Sequence, residues 1–217
     1  MGSNVNKIFL QIDGEPIIAR TIALFESNKL IDKIVIVARE GDIRQVKSIV
    51  LRNGFSKIYK IVAGGKERQD SVLNGLLSLN GAEERDIILI HNAVNPFVED
   101  ETIADCISNA KTYGACAVGF KVNDTIKRIG ENGYVIETVD RRNLWRIQTP
   151  QAFHYHLILK AHKAAKNRNF SSTDDASLVE ELGEKVKVVL CSSLNVKITT
   201  PEDLPSSEHA TKIEGNR

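Results

Sequence analysis

The stretch Gly64-Gly65-Lys66-Glu67-Arg68-Gln69-Asp70-Ser71 brings paired glycines, basic groups and a hydroxyl into one short loop. It follows the apolar run Ile58–Ala63 and opens a helical pattern. Paired glycines let a ligand approach the backbone, and a helix start offers unpaired N–H donors. The same residues also make an ordinary tight strand-to-helix turn, and the glycines alone do not decide between the two. A second stretch, His91-Asn92-Ala93-Val94-Asn95-Pro96-Phe97, follows the run Asp86–His91. It is either a polar ligand loop or simply a strand end stopped by Pro96. Both stretches fall just after strands, where ligands bind in open α/β sheets. Basic residues recur in such places: Lys7, Lys66, Arg68, Arg141, Arg142, Arg146 and Lys197. Lys+Arg total 29 and Asp+Glu 28, giving a net charge of +1. Local clustering in a near-neutral chain points to a polyanion such as a nucleotide, with solvated surface charge as the alternative.

Other constellations carry less. His154 and His156 flank Tyr155, but a strand-like His-x-His without a third ligand does not define a metal site. Ser171-Ser172-Thr173-Asp174-Asp175 precedes an apolar helix and reads as an N-cap rather than a catalytic carboxylate pair. No Ser-His-Asp or Cys-His arrangement has a recognisable setting. Cys106, Cys116 and Cys191 are odd in number and lack Cys-x-x-Cys spacing, which suits reduced thiols in a cytoplasmic protein. The balanced charge supplies no global attraction to nucleic acid or membrane. No apolar run reaches the roughly 20 residues of a membrane span. The polar start Met1–Asn6 is no signal peptide, and Asn6 stands where a myristoylation signal has Ser or Thr.

The elements that must position these residues can be read from periodicity. The chain has 217 residues, 42% hydrophobic and 26% charged, enough for one domain over 1–217 with a sizeable core. Lys33–Ala38, Ile58–Ala63, Asp86–His91, Ala115–Phe120 and Val186–Cys191 are apolar runs that suit strands of a mostly parallel sheet, buried on both faces. Helical patterns lie between them: from Pro16 through Phe25, Ile43–Asn53, Arg68–Leu79 and Glu99–Tyr113. The alternation predicts βαβ units and a three-layer α/β sandwich. Thr125–Ile129 and Tyr134–Val139 around Gly130-Glu131-Asn132-Gly133 predict a polar β-hairpin, an arm over about 121–145. A hairpin is marginal alone, so it must lie against something, a second subunit being one candidate.

Taken in order, several segments form a recognisable set. They are Met1-Gly2 followed by Asn6-Lys7-Ile8-Phe9-Leu10, then Gly14-Glu15-Pro16-Ile17, and Gly64-Gly65 with Arg68 and Ser71–Leu76. Thr125-Ile126-Lys127, Thr138–Arg141 with Leu144-Trp145, and Gln148–Phe153 come next. Thr173–Ala176 and Asn195–Leu204 complete the set. From Met1 to about Leu204 the chain resembles the 2-C-methyl-D-erythritol 4-phosphate cytidylyltransferase family of non-mevalonate isoprenoid biosynthesis. The related ribitol-5-phosphate enzymes share many of these segments, but Val139-Asp140-Arg141 with Leu144-Trp145 favours the former.

The resemblance implies a Rossmann-like nucleotidyltransferase sandwich with a protruding hairpin arm. It implies transfer of CMP from CTP to a polyol phosphate, with release of pyrophosphate. The substrate phosphate attacks the α-phosphorus in line, so the protein positions reactants and neutralises charge. A magnesium ion, held mainly by substrate phosphates, completes the picture. Lys7 matches the lysine at the α-phosphate, and Arg141 and Lys197 are the other expected catalytic cations. Gly65 and Ser71 match the cytosine-reading positions, with Gly64, Asn92 and Ala93 also in the nucleotide site. Thr125, Arg141, Lys197 and Thr149 match positions that grip the polyol phosphate. Thr125 and Arg141 reach a partner's site, so a homodimer through the arm is implied.

Two departures from the family pattern matter. The family has a buried strand and a glycine-rich loop ending in Arg-Met ahead of the segment that begins this chain. Translation from an upstream start is therefore expected, and slow turnover for the chain as written. The family also reads His-Asp-Ala-(Ala or Val)-Arg-Pro where this chain has His91-Asn92-Ala93-Val94-Asn95-Pro96. Asn92 removes a carboxylate and Asn95 a cation, while keeping hydrogen-bonding capacity. Two further readings follow: a cytidylyltransferase for another polyol phosphate, such as ribitol 5-phosphate, or a catalytically weakened nucleotide-binding remnant.

Overall fold

Ile17, Ile18, Ile22 and Phe25 recur at helical spacing after Pro16, and all four are buried on one helix, α1 (Ile17–Ser27). Proline pre-sets the backbone for such an entry and lacks the N–H that a first turn leaves unpaired. The computed structural model of the chain describes residues 6–195, 197 and 198. The expected family segments at Met1-Gly2, Val196 and Thr199–Leu204 lie outside them.

Ahead of α1, a 3-10 turn (Lys7–Phe9) leads into a small antiparallel ladder of β1 (Gln11–Ile12) and β2 (Glu15–Pro16). Then follow β3 (Ile34–Ala38), α2 (Ile43–Asn53), β4 (Ile58–Ala63), α3 (Arg68–Leu77), β5 (Ile87–Ile90), α4 (Asp100–Tyr113) and β6 (Ala115–Lys121). The hairpin is β7 (Ile126–Ile129) and β8 (Val135–Val139). The chain ends its described part with β9 (Trp145–His154), α5 (Tyr155–Asn167), α6 (Asp175–Glu180) and β10 (Lys187–Leu190). The strands and helices expected from apolar periodicity are present, with ends shifted by a residue or two.

The larger sheet has the order β10-β6-β9-β5, and β3 pairs with β4 in a separate parallel ladder. β10 runs parallel to β6, while β9 opposes both β6 and β5. Three of these four strands therefore point the same way, and the fold is α/β with a mostly parallel sheet and a hairpin. Ala115, Cys116, Ala117 and Val118 of β6 are at most 1% exposed, as expected of a strand covered on both faces. Helices α5 and α6 pack with Phe153 and Leu76, and α4 packs with β6 through Cys106 and Ala110.

β9 was not expected from the sequence. Its run Trp-Arg-Ile-Gln-Thr-Pro-Gln-Ala-Phe-His is polar at its start and contains Pro150, which lacks a ladder N–H. The register explains how it is central nonetheless. Ala117 pairs with Gln151 and Val118 with Gln148, so Thr149 and Pro150 sit in a bulge where no ladder bond is asked of them.

Candidate functional site

The apolar runs of β3, β4 and β5 end at Ala38, Ala63 and Ile90, and the loops beyond these ends build the site. After β4, the Gly64 N–H donates to Ala38 O at 2.8 Å, tying the glycine loop to the end of β3. The Gly65 N–H donates to Ser71 Oγ at 3.0 Å, and that hydroxyl donates to Glu67 O at 3.0 Å. The Glu67 N–H donates to the Asp70 carboxylate at 3.2 Å, which pins the first turn of α3 beneath the loop. Side chains would not fit here. A Cβ on Gly65 would lie 2.2 Å from Asp70 Cβ, and one on Gly64 would lie 2.7 Å from Ser71 Oγ. Both glycines and Ser71 thus form one rigid lip at the start of α3, with Gly65 exposed.

Lys7 is exposed on the 3-10 turn. Asn6 caps that turn, accepting from the Ile8 N–H, and its amide donates to Asp42 at 2.6 Å. Ile8 and Phe9 pack on the cluster of Ile36, Val46 and Ile49, and so does Ala93 from the loop after β5. The Ala93 carbonyl also accepts from Thr21 Oγ1 of α1 at 3.0 Å. Lys7 and Ala93 therefore stand on the same apolar base.

The remaining cation is brought in from the far end of the chain. The Ile198 N–H donates to Val94 O at 2.9 Å, and Asn195 Nδ2 donates to Thr149 O at 2.8 Å. Lys197, exposed, lies between these anchors and is thus held beside the loop of Asn92 and Ala93. Thr149, expected among the substrate-binding groups, lies beneath these loops. It is 5% exposed, and its hydroxyl accepts from the Asn92 N–H at 3.3 Å. It joins the Asn92 loop to the Lys197 segment from below. Asn95 is fully buried, and neither of its side-chain polar atoms has a hydrogen-bond partner among the described residues.

Thr125 and Arg141 are exposed on the arm. The Arg141 guanidinium donates to Asn123 O, and Leu144 N donates back to Arg141 O at 3.0 Å. Among the described residues, no hydrogen bond or ion pair links either of them to the loops carrying Lys7, Gly65, Ser71 or Lys197. The structure brings Lys7, Gly64, Gly65, Ser71, Asn92, Ala93 and Lys197 to one end of the strands and leaves Thr125 and Arg141 projecting on the arm. One lip, two cations and a polar loop at strand ends can seat a nucleotide and offset phosphate charge.

Comparison with known proteins decides among the nucleotide chemistries. A family model for IspD, 2-C-methyl-D-erythritol 4-phosphate cytidylyltransferase, matches residues 1–212. The chain belongs to this family. A relative of that name from Clostridium novyi is 44% identical over 209 residues, 96% of this chain and 89% of that protein. Another from Geobacter metallireducens is 45% identical over 210 residues, 96% of this chain and 90% of its own. Among solved structures, 4-diphosphocytidyl-2C-methyl-D-erythritol synthase from Anaerococcus prevotii superposes with a TM-score of 0.85 at 31% identity, covering 100% of this chain and 92% of that one.

Two features of this 2-C-methyl-D-erythritol 4-phosphate cytidylyltransferase family member escaped sequence reasoning. The first is Asp175. Asp174 is the N-cap of α6, accepting from the Ser177 N–H at 3.0 Å, as the Ser/Thr/Asp run suggests. Its neighbour Asp175 turns inward, 1% exposed, and pairs with Arg68. The second is the setting of His91. Its Nε2 lies 2.9 Å from Asn95 O, and its ring meets Phe25 at 4.9 Å between centroids. Nδ1 is sealed from water without a partner, although the residue as a whole is only partly covered.

Burial pushes the His91 pKa down from 6.5 to about 4, against a smaller upward pull from its bond to the Asn95 carbonyl. The unfolded chain therefore binds a proton that the folded chain refuses between those two values. Unfolding free energy is full above pH 6.5 and falls as pH drops toward 4. We expect denaturant melts to give about 2 kcal/mol less stability at pH 5 than at pH 8 from this group alone. His91→Gln should flatten that slope; an unchanged slope would show that the imidazole is not the group responsible.

Proposed function

We propose that this chain transfers a cytidylyl group from CTP to 2-C-methyl-D-erythritol 4-phosphate, giving the CDP-polyol and pyrophosphate. The observation that carries the reading is the joint one: family membership across residues 1–212, and a glycine lip with Lys7 and Lys197 at the same strand ends. An oxygen of the polyol phosphate attacks the α-phosphorus, and the bond from that phosphorus to the pyrophosphate oxygen breaks on the opposite side. No protein nucleophile is consumed. Lys7 offsets charge at the α-phosphate, and Lys197 orients the attacking phosphate. The Gly65–Ser71 lip takes the base, reading it through backbone groups and the Ser71 hydroxyl.

The metal reading fits only in a limited form. Among the described residues, no group of three or more His, Cys, Asp or Glu side chains could hold an ion. Asn92 offers a neutral amide where the family pattern has a carboxylate. Magnesium would therefore be carried mainly by the nucleotide phosphates, where it would neutralise charge, and Asn92 could offer it only a neutral amide oxygen.

The arm supports a homodimer. Ile129, Tyr134, Val135 and Ile136 on it are 52–75% exposed, an apolar surface that a lone hairpin has no use for. We expect Ile136→Asp to give monomers by light scattering and to abolish turnover, because Thr125 and Arg141 then reach no partner site. An active monomer would overturn the arm's role. Among the described residues no helix is long and apolar enough to cross a membrane, and three buried thiols suit a reducing, cytoplasmic setting.

The test is pyrophosphate release from CTP with 2-C-methyl-D-erythritol 4-phosphate, with ribitol 5-phosphate as the competing acceptor. Turnover with the first supports the proposal. Turnover with ribitol 5-phosphate alone supports the other polyol enzyme, and CTP binding without turnover supports the weakened remnant.

A further inference from the structure

The start of α3 is held by contacts that the reaction itself does not explain. Asp175 Oδ2 accepts from Arg68 Nη2 at 2.6 Å, and Asp175 Oδ1 lies 3.1 Å from His162 Nε2. The side chains of Asp175 and His162 are 1% and 0% exposed, whereas that of Arg68 is 37% exposed. Burial raises the Asp175 pKa, but the His162 hydrogen bond and the Arg68 charge outweigh it and hold the carboxylate ionised, below its usual range. An ionised carboxylate requires His162 to donate from Nε2, leaving its buried Nδ1 without a partner. Gln151 completes the cradle: its Oε1 accepts from the backbone N–H groups of Asp175 and Ala176 at 3.1 and 3.0 Å. Gln69, next to Arg68, ties the same turn to Phe170 O at 3.0 Å and to the Ser172 N–H at 3.2 Å.

A buried, doubly paired charge is a costly way to gain stability alone, since apolar groups of similar volume serve as well. What it does fix is direction. Arg68 is the first residue of α3, and Ser71, whose hydroxyl receives the Gly65 N–H, lies on the same turn. We propose that Asp175, oriented by His162, is a positioning residue for the nucleotide: through Arg68 it sets the first turn of α3 and with it the Gly65–Ser71 lip. The inference rests on the reading that this lip takes the CTP base.

The experiment is steady-state kinetics with each substrate varied in turn, on the wild type, Asp175→Asn, Arg68→Gln, the double variant, and His162→Gln and His162→Leu. Asp175→Asn should raise KM for CTP about 10-fold, the scale of one charge-assisted hydrogen bond. KM for the polyol phosphate and kcat should stay within about twofold, as uniform loss of ground-state nucleotide binding requires. Arg68→Gln should match it, and the double variant should add nothing, since both break one link. His162→Gln, which can still donate to the carboxylate, should lie near wild type, and His162→Leu should follow Asp175→Asn. Arg68 is partly exposed, so its variant tests the idea even where Asp175→Asn fails to fold. An unchanged CTP KM in Arg68→Gln, or both substrate KM values rising together, would overturn it. A wild type that saturates with the polyol phosphate but not with CTP would instead remove the nucleotide reading beneath it.

Discussion

Gly65→Ala is expected to lower kcat/KM for CTP by at least about 100-fold, close to 3 kcal/mol of lost transition-state binding. The reason is space rather than backbone conformation. The added methyl would stand 2.2 Å from Asp70 Cβ, 3.2 Å from Asp70 C and 3.3 Å from Asp70 Cα. Two of those atoms are helix backbone, so no rotamer change relieves the overlap. The loop must move off α3 and give up the Gly65 N–H bond to Ser71 Oγ. Gly65 is exposed, so thermal stability should change little while nucleotide affinity collapses. Isothermal titration with CTP and a melting curve separate the two. An alanine variant that binds CTP normally would show that the base sits elsewhere. Ser71→Ala removes one hydrogen-bond partner without crowding the loop and should be milder.

Lys7→Ala should cost about 100-fold or more in kcat, the scale seen when one preorganised charge-stabilising group is removed. The loss belongs mainly in kcat, because charge builds on the α-phosphate oxygens as the new bond forms and the old one breaks. The turn carrying Lys7 is fixed by Asn6, whose amide is bonded to Asp42, and by Ile8 and Phe9 in the core. The backbone should therefore stay in place when the ammonium is deleted. Single-turnover measurements at saturating CTP isolate the chemical step. A chemical rate near that of the wild type would remove Lys7 from the reaction.

How far the fold was legible depends on the element. The β3, β4, β5, β6 and β10 runs are dense in β-branched or small apolar residues, and they announce a buried sheet. β9 does not, because Gln148, Thr149, Pro150 and Gln151 carry the polar and proline signature of a loop. Only the register of its neighbours reveals a bulge at Thr149 and Pro150. The site shows the same division. The glycines and Ser71 can be found, though a plain turn is the better reading of them until the ordered segments are compared. Asp175 could not, since its partners Arg68 and His162 meet it only after folding. Nor could the inward placement of Asn95 and Thr149: both types are usually exposed, and burial is set by the loops that close over them.

The bulge in β9 has a mechanical side. Below it, Gln151–His154 pair with β5, and above it Trp145–Gln148 continue along β6 alone, as a stalk that carries the arm. Thr149 stands at the fulcrum, touching both Asn92 and Asn195. Displacing the arm would therefore strain the Thr149 bonds to the Asn92 loop and to Asn195, two residues before Lys197.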